Sequence, residues 1–220
     1  MDAATCIKSR MSVRGFTEDP VPEELLTEII DIAKWSPSYK NSQPWEVVIL
    51  SGKKKDDLSA LLLDLLAQGV EPKPDLAAPE SWPQREQANI DHLYASRKEA
   101  TGLDLNDPKI IVAAKKANFR FYKAPHGIFL FQNASLSQWS LFDLGLFAQS
   151  LMLAARAKGL GTVPQAFLTD YAPQVKDFLG IAEDKRLVLG ISIGYPDPQS
   201  PANQLRTDRM ETKDIVTLPA

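Results

Sequence analysis

The chain has 220 residues, 44% of them hydrophobic and 24% charged, with a formal net charge of -3 at pH 7. That length and mixture fit one globular domain with a sizeable core, and the acidic balance supplies no global field that would draw a nucleic acid or an anionic membrane surface. One cysteine, Cys6, and two histidines, His92 and His126, exclude an internal disulfide and the usual four-ligand Cys/His metal centre, so a reducing, cytoplasmic compartment and no metal are expected.

The first residues, Met1 to Cys6, lack the basic segment and apolar run of a secretory signal, and no stretch reaches the ~20 apolar residues that cross a bilayer. A short N-terminal helix is expected before Ser9. Residues 22 to 34 open with Pro22 and two glutamates, then place Leu25, Ile29, Ile32 and Ala33 at helical spacing until Ser36-Pro37 ends the pattern. After a polar loop, Trp45 to Leu50 is an apolar, β-branched run that predicts a buried strand, and a leucine-rich helix is expected over residues 55 to 67.

From Gly69 to Pro83 the composition turns proline-rich without periodicity, which describes an irregular excursion over the surface. Residues 84 to 117 return to helix-like composition, so about 69 to 117 is expected to be an insertion into one domain spanning 1 to 220. Gly127 to Phe131 is strand-like. Leu141 to Lys158 carries the longest helical signal, with Leu144, Ala148, Leu151, Met152 and Ala155 on one face and Gly159 as its stop. Strands are expected at 161 to 167 and 186 to 193, a helix at about 171 to 179, and an extended tail beyond Tyr195. The alternation of helices and strands places the chain in the α/β or α+β class.

Three polar clusters carry the chemistry. The first, Ser9 to Arg14, sets two arginines and two hydroxyls within six residues, a group able to clamp a phosphate through forked, charge-assisted donors. The competing reading is a solvated turn with Arg14 paired to Glu18 or Asp19. The second, Ser36 to Trp45, concentrates hydroxyl and amide side chains that can read the edge of a flat heterocycle, although Asn and Ser also simply make turns. The third runs from Gly194 through Arg206 and Arg209, which can complete an anion clamp unless Asp208 and Glu211 neutralise them.

Taken in order from Ile7 to Val216, these elements resemble the nitroreductase family of flavoproteins. The resemblance is carried by Arg-x-Ser-x-Arg at 10 to 14, Pro-Ser-x-x-Asn-x-Gln-Pro-Trp at 37 to 45, Gly159 to Thr162 with Pro164 and Gln165, Gly194-Tyr195-Pro196, and the terminal Arg206-x-x-Arg209. It implies an α+β fold: a three-layer α/β/α sandwich with a mostly antiparallel central sheet, in an intertwined homodimer with FMN at the subunit interface.

Carried across by position, the resemblance makes Arg10 and Arg209 ligands of the FMN phosphate with help from Arg206, and Ser12 a phosphate or ribityl contact. Arg14 becomes the cation near flavin N1 and O2, where it tunes the potential. From the partner subunit, Pro37, Ser38, Asn41 and Gln43 would face the ring and ribityl chain, while Pro164 and Gln165 match the turn that approaches N5 and O4. Asn118-Phe119-Arg120 loosely resembles a further polar contact. No catalytic side chain is needed, because the cofactor supplies the difficult chemistry.

The activity implied is a two-stage reaction in which NADH or NADPH delivers electrons and departs before a flat nitroaromatic or quinone enters the same pocket, with Tyr39, Trp82, Tyr94 and Trp139 as candidate walls. A flavin carrier or sensor, and dehalogenating or flavin-modifying enzymes of the same fold, are the alternatives. Gly159 and Gly161 do not make a dinucleotide fingerprint, since Pro164 stands at the third glycine position and the preceding segment is helical. The histidines are assigned core or surface duty, and the short basic runs at Lys53 to Lys55 and Lys115-Lys116 are read as solvated helix faces.

Overall fold

The computed structural model describes residues 1 to 219. Four strands form one fully antiparallel sheet in the order β1-β2-β4-β3, where β1 is Glu46–Ser51, β2 His126–Asn133, β3 Gly161–Gln165 and β4 Lys185–Gly194. Among the described residues, seven α-helices surround it: α1 (Ala3–Ser9), α2 (Glu23–Ala33), α3 (Gly52–Ala67), α4 (Gln84–Thr101), α5 (Pro108–Phe119), α6 (Gln138–Ala157) and α7 (Ala172–Leu179).

The run Ile128-Phe129-Leu130-Phe131 explains why helices cover both faces. Successive strand residues point to opposite sides, so Ile128 and Leu130 join Leu26, Ile29, Phe147 and Leu151 of α2 and α6. Phe129 and Phe131 join Leu58, Leu62, Phe119 and Val175 of α3, α5 and α7 on the other face. All of these residues are buried, and the outcome is the expected three-layer α+β sandwich. A bulge in β4 at Val188 shifts the register, because Leu130 pairs with Leu189 while Phe131 pairs with Leu187. The extra residue turns Leu187 to the α3 side and Ile191 and Ile193 to the α6 side, although all three have the same parity.

Several sequence expectations change. On α2 the buried stripe is Leu26, Ile29 and Ala33, whereas Ile32 is 44% exposed; the helix is rotated relative to the expected face, leaving an apolar side chain outside. The first strand begins after Trp45, whose ring stacks on Phe147 at 4.9 Å instead of entering the ladder. Helix α3 starts at Gly52, where the Lys53–Asp57 pair supports its first turns. Helix α6 begins at Gln138, three residues early, and so carries Trp139. The strand expected to reach Phe167 ends at Gln165, and a 3-10 turn over Ala166–Thr169 follows. Pro164 is tolerated because β3 lies at the sheet edge.

The proline-rich stretch from Gly69 to Pro83 is irregular but fastened. The Asp75 carboxylate pairs with Lys176 at 3.0 Å and accepts from the Leu187 backbone N–H at 2.7 Å. Helix α4 is unusual in having no fully buried residue.

Candidate active site

Local packing fixes the first arginine cluster. The chain leaves α1 at Arg10 in extended conformation and runs beside β3, with a parallel bridge between Ser12 and Thr162 and a Val13 N–H to Thr162 C=O bond of 3.0 Å. Asn203 of the tail then ties this segment down: its Oδ1 accepts from Arg14 N–H at 2.8 Å, and its Nδ2 donates to Gly15 O at 2.8 Å and Asp197 O at 3.0 Å. The first and last parts of the sequence therefore meet at one place.

Arg10 is half-buried, and its Nη1 finds no hydrogen-bond partner among the described residues. Burial lowers its pKa, and the positive charges of Arg209 and Arg206 lower it further. Three guanidiniums without an intervening carboxylate form a site that an anion would relieve. A cavity of about 460 Å³ is lined by Arg10, Ser12, Arg14, Arg97, Arg206 and Arg209, among others.

Each arginine is held differently. Arg206 donates to Ser9 O at 2.9 Å and Lys8 O at 2.6 Å, occupying the carbonyl end of α1. Arg209 is exposed and donates to the Thr207 hydroxyl at 2.9 Å. Arg14 donates to Ser12 O at 3.3 Å and lies 6.0 Å from the centre of the Tyr122 ring. The pairings of Arg14 with Glu18 or Asp19 do not form, and Asp208 turns to His92 at 3.0 Å rather than neutralising the cluster.

A second cavity, about 370 Å³, adjoins the first through Arg14 and Arg97 and reaches the Pro164–Gln165 turn. Pro164 is exposed there. The Gln165 side chain is buried and fully committed: Nε2 donates to Asn118 O at 3.0 Å and Oδ1 at 3.1 Å, while Oε1 accepts from the Ser192 hydroxyl. Asn118 Nδ2 continues the chain to Ala114 O at 2.8 Å and the Tyr122 hydroxyl at 2.9 Å. Phe121, Tyr122 and Lys123 all have positive φ, at 53°, 51° and 65°. A run of left-handed non-glycine residues is costly and marks a segment held in place by its surroundings.

The remaining predicted residues lie elsewhere on the protomer. Ser36 anchors their loop to α6 through Ser150 Oγ at 2.8 Å, and both oxygens of buried Asp143 accept from Tyr39 N–H at 3.1 Å. Pro37, Asn41 and Gln43 are exposed and Ser38 is half-buried. Lys40, Asn41 and Gln43 again show positive φ. No residue of this loop lines the arginine cavities among the described residues.

Of the expected aromatic walls, Tyr94 lines the second cavity. Tyr39 stacks with Trp139 at 6.0 Å on the α6 surface, and Trp82 lies exposed outside the described cavities. Arg97 and Tyr122 line the cavity as well and carry no local sequence signal, the first lying on a weakly amphipathic helix and the second in a glycine-free turn. Among the described residues there is no cluster of His, Cys, Asp and Glu able to hold a metal, and no helix is long and apolar enough to cross a membrane.

Comparison with known proteins agrees with this layout. The family model described as Nitroreductase family matches residues 7–195. A 4-nitrobenzoate reductase of Pseudomonas putida is 35% identical over 94% of this chain and 91% of its own length. The chloronitrobenzene nitroreductase of Comamonas testosteroni is 29% identical over 96% of this chain and 94% of its own. The crystal structure of the FMN-dependent nitroreductase NfnB from Mycobacterium smegmatis, in complex with NADPH, superposes with a TM-score of 0.93 at 32% identity, covering 99% of this chain and 98% of that one. The chain belongs to the nitroreductase family.

Proposed function

We propose that the protein is an FMN-dependent oxidoreductase that draws electrons from NADPH or NADH and passes them to flat acceptors, nitroaromatics or quinones, entering the same pocket in turn. The observation that carries this reading is the half-buried Arg10, its Nη1 unsatisfied, facing Arg206 and Arg209 with no acid between them. Such a site fits a phosphate monoester, and the adjoining cavity at Pro164 has room beside it for a planar ring. The relatives named above as nitroreductases, one of them FMN-dependent and crystallised with NADPH, support the same assignment.

When bound, FMN supplies the hydride-accepting and hydride-donating chemistry. The chain's own tasks are then to bind and orient. Arg10 and Arg209 would hold the phosphate, Arg206 would add field while securing α1, and Ser12 would contact the phosphate or ribityl chain. Arg14 would set a fixed positive charge beside N1 and O2, where negative charge gathers on reduction. The turn at Pro164 and Gln165, stiffened by the Ser192–Gln165–Asn118 chain, would fix the ring's height.

Pro37, Ser38, Asn41 and Gln43 would reach the site from a second subunit. The α6 surface supports a homodimer: Trp139 and Phe142 are 61% and 60% exposed on one stripe, Tyr39 of the α2 to β1 connection stacks on Trp139, and Trp35 of that connection and Ile32 of α2 are exposed as well. An apolar patch of this kind marks an interface. Residues 1 to 219 form one domain, with α4 and α5 as an insertion, and a buried free thiol at Cys6 suits a reducing cytoplasm.

The visible spectrum of the isolated protein tests the reading. Flavin absorbance bleached by NADPH or NADH without oxygen and restored by a nitroaromatic or quinone is expected, with parallel lines in double-reciprocal plots. A colourless protein that does not take up FMN, or intersecting lines, would count against it.

A further inference from the structure

Arg97 has no place in the scheme above. It projects from the inner face of α4, where Leu93, Tyr94, Arg97 and Thr101 are half-buried together with Glu86, Ile90 and Ser96 while the other positions are exposed. Its guanidinium makes no hydrogen bond or ion pair among the described residues, so every donor of the fork is free, while its carbonyl accepts from the Thr101 hydroxyl at 2.7 Å. The charge it faces is Arg14, and both Tyr94 and Tyr122 lie close to it; no carboxylate acts on it. Burial and Arg14 together lower its pKa, a sign that this cation is held against its preference.

Besides the arginine cavity of about 460 Å³, two further spaces meet at Arg97. One is the cavity that ends at Pro164. The other, about 320 Å³, has an apolar lining that includes Leu103, Leu105, Ile110, Ala113 and Ala117, all supplied by the inserted region. An apolar chamber beside a guanidinium offers no counter-ion and weakens screening, so an anion arriving there is held more firmly than it would be on an open surface. Arg14 is already spoken for by Ser12 O, the Tyr122 ring and its backbone tie to Asn203. Arg97 is the fork left free to grip a planar anion.

We infer that Arg97 is a specificity-determining residue that binds the carboxylate of an aromatic acid acceptor, leaving the ring of that acceptor beside Tyr122, where the apolar chamber meets the cavity that takes the flavin ring. A carboxylate matches the guanidinium fork in two parallel hydrogen bonds, and its charge relieves the repulsion between Arg97 and Arg14. The apolar chamber of about 320 Å³ has space for one substituted benzene ring. The inserted segment thus converts a general flavin chamber into one selective for acidic aromatic compounds. The inference rests on the oxidoreductase reading only in treating the bound ring as an acceptor.

The test compares 4-nitrobenzoate with uncharged nitrobenzene, using the FMN-loaded wild type, Arg97→Gln and Arg97→Lys. Loss of a charge-assisted pair predicts a fall in kcat/KM for 4-nitrobenzoate of about 10- to 100-fold in Arg97→Gln, mostly in KM, with Arg97→Lys intermediate and nitrobenzene changed less than about threefold. Equal losses for both acceptors would overturn the assignment, as would a raised KM for NADPH with 4-nitrobenzoate unaffected, or FMN loss in Arg97→Gln, since the arginine would then serve the nucleotide or the flavin. Calorimetric titration with benzoate gives an answer without turnover. Binding weakened in both variants supports the site even if neither nitroarene is reduced, an outcome that would sink the oxidoreductase reading alone; binding equal in all three proteins, or absent from the wild type, refutes the site.

Discussion

The amide of Asn118 donates to the hydroxyl oxygen of Tyr122 at 2.9 Å, and this bond ends a buried polar chain that starts at Ser192. Because the hydroxyl oxygen accepts there, its proton is free to point into the cavity that Tyr122 lines. The chain crosses from the inner strand β4 to the edge strand β3 and on to α5, so it couples the turn at Pro164 to the left-handed run Phe121 to Lys123.

Ser192→Ala leaves the Gln165 carbonyl oxygen buried without its donor. A lost partner of that kind costs about 1–3 kcal/mol. Urea unfolding should show a lowered midpoint with an unchanged slope, and a variant as stable as the wild type would mean that the chain is reorganised without loss.

The two arginines of the first motif should separate by phenotype. Arg10 faces only other guanidiniums, so Arg10→Ala removes a phosphate ligand and is expected to weaken FMN binding by about 10- to 100-fold, the scale of a charge-assisted bond. Arg14 is fixed at its backbone by Asn203 and at its side chain over Tyr122. Arg14→Ala should keep most of the flavin and lower its reduction potential, because a cation near the reducing ring is gone. Equal flavin loss with no potential change would reverse the roles.

How much could be read from the sequence follows from how local each signal is. Strand β2 was legible because Ile128 to Phe131 is apolar at every position, as a strand buried on both faces must be. The inward face of α6 was legible from Leu144, Ala148, Leu151, Met152 and Ala155, all buried. Ile32 misled because an apolar residue at helical spacing does not say whether its cover belongs to the same chain. Arg97 was illegible for the opposite reason. Its importance comes from Arg14, more than eighty residues earlier, and from a cavity assembled by several segments. The Phe121 to Lys123 conformation also left no trace, since no glycine marks it.

Gly145 bears on the proposed dimer. It sits exposed within α6, on the stripe of Trp139 and Phe142, and a Cβ added there would meet nothing within 4 Å of the same chain. Within the protomer, Gly145→Leu should add stability, since glycine in a helix interior costs up to ~1 kcal/mol relative to good helix formers. Close approach of a second α6 would make the same change disruptive. Sedimentation velocity is expected to show dissociation, with FMN released alongside; a dimer retained at wild-type affinity would place the seam elsewhere.

His126 gives the fold a dependence on pH. Its Nε2 accepts from Val21 N–H at 2.9 Å, so the neutral ring carries its proton on Nδ1, which is 2.5 Å from Ser51 Oγ. Burial lowers its pKa below the ordinary histidine value of 6.5, and Lys55 lowers it further. A second proton would have to displace the Val21 bond, which joins the chain before α2 to the start of β2. The unfolded chain therefore binds this proton more readily than the folded one, and stability rises with pH across the interval between the two pKa values. The contribution is complete above the unfolded value of 6.5 and is lost as pH falls through that value towards the lower folded one. Thermal melting at a series of pH values from 8 to 5 should show a decline in the wild type that is shallower in His126→Gln, whose side chain carries no titrating proton. Parallel curves for the two proteins would assign the acid sensitivity to other groups.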